Sequence, residues 1–84
     1  MKPIRLTRHA RERCLARGAT EDEVIRAIRI GVREPAKLRR EMCRLDVPFE
    51  SNWQGTYYST KQVAAVIIEE PDVTVVVTVY TRYF

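Results

Sequence analysis

The sequence has little of several things, and each scarcity narrows its reading. Its 84 residues include two cysteines, one histidine, one tryptophan and three glycines. Cys14 and Cys43 show neither CxxC spacing nor a nearby histidine, which disfavours both a disulfide framework and a zinc knuckle. There is no Gly-rich phosphate loop, no HExxH and no Ser/His/Asp set. Asp and Glu fall mostly in turns and caps, without metal spacing, so neither a metal nor a cofactor is expected. The longest apolar run, Val63 to Ile68, is too short to cross a bilayer. Met1 to Arg5 lacks the apolar stretch of a secretion signal. No membrane partner is expected, and the chain reads as cytoplasmic with reduced thiols.

What is present fits one small domain, residues 1–84. A chain this size buries only roughly 60–65% of its unfolded surface. At 45% hydrophobic and 31% charged it has a globular composition. The net charge of +4 hides an asymmetry. Residues 1–44 carry 13 Lys/Arg against 6 Asp/Glu, a balance of +7, and residues 45–84 carry 2 against 5, a balance of −3. Twelve of the fifteen bases are Arg, whose planar fork suits phosphates and carboxylates. The partners this suggests are RNA or an acidic protein. A GC-rich genome or a solvated helix face would also explain the arginines.

The first half reads as helical and the second as strands. Helix one starts at Thr7 as N-cap and ends before Gly18, which suits a left-handed position. Thr20-Glu21-Asp22-Glu23 is a capping box that opens helix two, and Gly31 stops it. Val24, Ala27 and Ile28 form its apolar face. The short connection makes an αα-hairpin. Leu38 to Val47 fits either a helix or a strand; a strand over Met42–Val47, ended by Pro48, is the better reading. Pro48 to Gly55 is then a loop carrying Trp53. Gln62–Glu69 and Val73–Tyr80 form an antiparallel hairpin across Glu70-Pro71-Asp72. Period-two alternation points Val73, Val75, Val77 and Val79 at the helices and turns Thr74, Val76, Thr78, Tyr80 and Arg82 outward. The expected fold is α+β: an N-terminal helical hairpin on a three- to four-stranded antiparallel sheet, in the order ααβββ.

Three groups of residues are candidates for chemistry. His9, Arg13 and Arg17 follow at i, i+4 and i+8 along one stripe of helix one. His9, paired with Glu12 or Tyr80, suits proton transfer, and the two arginines suit a phosphate. A purely structural reading has the arginines bridging Glu12 and Glu21 and His9 capping a sheet edge. Thr78, Tyr80 and Arg82 share one strand face, with Lys61 at the start of the neighbouring strand. They suit phosphodiester oxygens, or are merely good strand residues on a solvated face. Trp53, Tyr57 and Tyr58 suit base stacking, or plug the rim of a small core.

The stretch Leu6 to Gly18 (LTRHARERCLARG), the capped Thr20-Glu-Asp-Glu-Val24 and the ending Val77-Thr-Val-Tyr80 resemble the bacterial domain-of-unknown-function family 4258. Trp53 to Val63 (WQGTYYSTKQV) is similar to a middle region of some members. The resemblance implies the fold of barnase-like, EndoU-like, colicin-type and RelE-like ribonucleases, many of them metal-independent toxins. It implies His9 as the first catalytic candidate, Arg13 and Arg17 as phosphate holders, and Thr78 as a sheet-side member of the site. Three expectations follow. The first is a metal-independent endoribonuclease with Lys61, Tyr80, Arg82 and Trp53 near its substrate. The second is a non-catalytic module that binds RNA or an acidic protein. The third is a homodimer joined through outward Val76, Tyr80 and Phe84.

Overall fold

The chain begins with an element that its sequence does not announce. In the computed structural model, which describes residues 2–84, Ile4–Leu6 forms a three-residue strand, β1. Two helices follow, α1 (Arg8–Arg17) and α2 (Glu21–Ile30). Four strands complete the order: β2 (Val32–Pro35), β3 (Glu41–Trp53), β4 (Thr56–Glu69) and β5 (Thr74–Tyr83). The fold is α+β, and the expected ααβββ order is corrected to βααββββ. The five strands line up as β1-β5-β4-β3-β2. The sheet is mixed rather than antiparallel, because β1 runs parallel to β5 while the other pairs are antiparallel.

Local chemistry sets the helix ends. Thr7 accepts a hydrogen bond from the Ala10 N–H, and Gly18 closes α1 at φ 74°. Thr20 and Glu23 exchange both bonds of the capping box at 3.0 and 3.1 Å. Both helices lie on one face of the sheet. Ala10 and Cys14 of α1 and Val24 and Ile28 of α2 meet Cys43, Val63, Ala65, Ile67, Val76 and Val79 in one core. Leu6 of β1 joins it.

Three strand expectations are corrected. Pro48 does not end β3: it pairs with Thr60, a bulge follows before Ser51, and the strand continues to Trp53. On its outer side β3 is paired with β2 only from Glu41 to Arg44, so Pro48 lies where one flank of the strand is open. The expected loop from Pro48 to Gly55 shrinks to Gln54-Gly55, at φ 51° and 85°, a two-residue turn between Trp53 and Thr56.

The valine face of β5 is not continuous. The register with β4 shifts between Ile67↔Val76 and Val66↔Thr78, leaving Val77 as an extra residue. This bulge inverts the alternation. Val76 and Val79 both point into the core, while Val75, Thr78, Tyr80 and Arg82 share the opposite face. Val76 is fully buried, so it cannot contribute to the expected dimer surface.

Candidate functional site

The edge of β5 creates the site. Beyond Val76 it has no strand on its β1 side, and its backbone oxygens there would be orphaned. α1 runs along that edge and supplies the missing donors. The Thr7 N–H donates to Val76 O at 3.0 Å, and the Thr7 hydroxyl reaches Val77 O at 3.4 Å. Arg17 Nη1 donates to Val79 O at 2.7 Å. The stripe His9-Arg13-Arg17 therefore lies along the sheet margin.

There it meets the outward residues of β5. His9 Nε2 lies 3.3 Å from Thr78 Oγ1 and 3.4 Å from Arg13 Nε. Guanidinium groups only donate, so Nε2 must be the unprotonated ring nitrogen, with the proton on Nδ1. Both partners sit at the far end of hydrogen-bonding range, so the lone pair is loosely held and open to another donor. One turn along, the Arg17 guanidinium lies 4.8 Å over the Tyr80 ring. His9 and Tyr80 are exposed, and Arg13, Arg17 and Thr78 are half-buried.

The alternative ion pairs form with other partners. Arg8 takes Glu12 and Arg11 takes Glu21. Among the described residues neither Arg13 nor Arg17 forms a salt bridge, and none of His, Cys, Asp or Glu cluster to hold a metal. Arg17 keeps N–H groups beyond the one on Val79 O, and Arg13 meets only His9 by hydrogen bond. Two guanidinium forks beside one imidazole and one hydroxyl can hold an oxyanion.

Lys61 and Trp53 fall elsewhere. Lys61 is 5% exposed; its ammonium donates to Gly18 O at 2.9 Å and pairs with Glu23 at 2.9 Å. It fastens the α1–α2 connection to the sheet and is not placed to reach a substrate. Burial alone would raise the Glu23 carboxyl, but hydrogen bonds from Lys61 and Thr20 outweigh it and hold the carboxyl below its ordinary range. Trp53 stacks on Tyr83 with centroids 4.9 Å apart, and Phe49 and Tyr58 pack on the same Tyr83 ring. Trp53 thus plugs the rim. Arg82 lies 5.2 Å over the Phe84 ring, further along β5.

Two residues without an expected role hold the site in place. The Thr81 hydroxyl and the Tyr83 hydroxyl both donate to Arg17 O, at 2.9 and 2.7 Å. They cap the end of the helix that carries the arginines. Alternation along β5 beyond the bulge was the only signal for them.

The better-formed hollows lie away from this edge. One is lined by Lys2, Ile28, Arg33, Glu69 and Thr74. Its charges satisfy one another, with Lys2 at 3.4 Å and Arg33 at 3.5 Å from Glu69, and Thr74 on the same carboxylate. The β5 edge, with its unpaired guanidinium groups beside an imidazole, is the stronger site. Among the described residues no helix is long and apolar enough to cross a membrane. Set against family models, curated proteins and solved structures, the chain shows no significant match.

Proposed function

We propose that the protein is a metal-independent endoribonuclease whose site is the β5 edge. The observation that carries this reading is the meeting of His9, Arg13 and Thr78, with Arg17 and Tyr80 beside them. His9 Nε2 accepts the proton of a ribose 2′-hydroxyl. The 2′-oxygen bonds to the adjacent phosphorus as the bond from phosphorus to the 5′-oxygen breaks. Arg13 and Arg17 face the charge that develops on the phosphate. The Tyr80 hydroxyl protonates the leaving 5′-oxygen, and Arg17 over its ring offsets the charge left behind. Solvent then removes the His9 proton and restores that of Tyr80. Thr78 positions the imidazole.

The test compares an RNA with its 2′-O-methyl counterpart. Cleavage of the RNA alone, leaving 2′,3′-cyclic phosphate and 5′-hydroxyl ends, is expected. Cutting of both, or 5′-phosphate ends, overturns the mechanism. One observation favours a second reading, a non-catalytic RNA-binding module: among the described residues no carboxylate hydrogen-bonds to His9. Salt-sensitive binding with no cleavage of either strand would support it.

A further inference from the structure

Beyond the His9 cluster, the outward face of β5 carries a second pattern. Tyr80 and Phe84 are each 47% exposed. Each has a guanidinium over it: Arg17 at 4.8 Å on Tyr80 and Arg82 at 5.2 Å on Phe84. Thr78, Tyr80, Arg82 and Phe84 alternate along one side of the strand, about 7 Å per step. Phe84 is held in line because it exchanges both backbone hydrogen bonds with Thr60, at 2.8 and 3.0 Å. Phe84 therefore stands about 20 Å from Thr78, a few nucleotides of extended strand. At the other end Arg5, opposite Val75, is exposed. The acid that β4 carries, Glu69, lies opposite Thr74 at the other end of β5 and is paired with Lys2 and Arg33, while Asp46, two strands away on β3, accepts from Gln62.

We infer that this row binds the single-stranded flank of an RNA whose scissile phosphate lies at Arg17 and Tyr80, with a flanking base stacked on Phe84 and a flanking phosphate on Arg82. Stacking platforms interleaved with cations are how backbone-tracking, sequence-tolerant surfaces hold unpaired strands. A duplex does not fit, because its bases already cover one another's faces. The row is one strand wide, which also suits one strand. This inference rests on the proposed function for the choice of RNA, and it names the substrate as single-stranded.

The test uses a fluorescent ten-nucleotide 2′-O-methyl oligouridine, which has no attacking hydroxyl, and a duplex of the same length. Binding is read by anisotropy for wild type, Phe84→Ala and Phe84→Tyr. Phe84 lies outside the catalytic group, so its removal leaves the chemistry in place. Wild type is expected to prefer the single strand. Phe84→Ala is expected to bind it about 5- to 150-fold more weakly, the range for one lost stacking partner. Phe84→Tyr is expected to retain binding. Equal affinity for the duplex, or an unchanged Phe84→Ala, overturns the inference even if RNA is cleaved. Tight binding that depends on Phe84, with no cleavage of RNA, upholds it and overturns the catalytic reading instead.

Discussion

Thr78 on β5 and His9 on α1 meet at 3.3 Å although 69 positions separate them in the chain. Two local features bring them together. The Val77 bulge turns Thr78 outward, and α1 lies along the β5 edge that its own donors cap. Thr78→Val removes the hydroxyl with little change of shape. It is expected to lower the cleavage rate roughly 2- to 10-fold, the worth of one hydrogen bond, while Thr78→Ser restores it. Single-turnover kinetics distinguish this from a change in binding; an unchanged rate in Thr78→Val removes the positioning role.

Lys61 is buried against Glu23 and Gly18 O, so breaking the pair leaves a carboxylate poorly compensated. Lys61→Met keeps the stem and loses the charge. It is expected to destabilise the fold by roughly 2–4 kcal/mol, below the full value for a buried pair because Glu23 keeps some contact with water. Urea unfolding at neutral pH measures it. A shift near zero would mean that Lys61 is free for another role.

The Glu23 and Glu69 carboxyls are both held below their ordinary range. Burial opposes the shift at Glu23, where Lys61 and Thr20 overcome it; at Glu69 the Thr74 hydroxyl leads, with Lys2 and Arg33 adding to it. A carboxyl that binds its proton less readily when folded contributes stability above its unfolded pKa, near 4.3. That contribution is lost as pH falls through the folded value. Stability is therefore expected to drop steeply below about pH 4.5, and Glu23→Gln is expected to flatten that drop. Melting temperatures from pH 7 to pH 3 decide the matter; parallel curves for the two proteins would exclude Glu23 as a cause.

Gly18 combines φ 74° with a close approach to the aromatic rim. A Cβ there would stand 2.6 Å from the Tyr83 hydroxyl and 2.7 Å from the Trp53 ring. Gly18→Ala adds left-handed strain of about 1–2 kcal/mol to that collision. A melting temperature lower by roughly 5–15 °C is expected by thermal unfolding. An unshifted melt would mean that the aromatic rim yields freely.

If phosphates bind at Arg13 and Arg17, affinity for the 2′-O-methyl strand falls as salt rises. Arg17→Gln is expected to reduce the slope of log affinity against log salt by roughly 0.7, one phosphate on a single strand. An unchanged slope places the phosphates elsewhere.

The helices were legible because their signals are local: Thr7, Gly18 and the Thr20–Glu23 box act within a turn or two of themselves. The core of the β4–β5 pairing was legible from its valine-rich runs. The sheet's margins were not. β1 and β2 are three and four residues long, and they exist because β5 and β3 offer them partners. Pro48 resembles a stop, yet it is tolerated on the open flank of β3. The run Val75-Val76-Val77 hides a bulge, since every residue suits either face. Of the candidate site, the helical stripe and Thr78, Tyr80 and Arg82 were legible by period. The packing of Trp53 at the rim was one of its two readings; the withdrawal of Lys61 was not legible, because it depends on where the α1–α2 connection lands.

The most direct measurement is cleavage of a mixed-sequence RNA in EDTA by the purified protein and by His9→Ala, with circular dichroism and thermal melts run on both. Cutting by the wild type alone, with matching folds and melts, is the expected result. Equal cutting by both, or none by either folded protein, would contradict a catalytic role for His9.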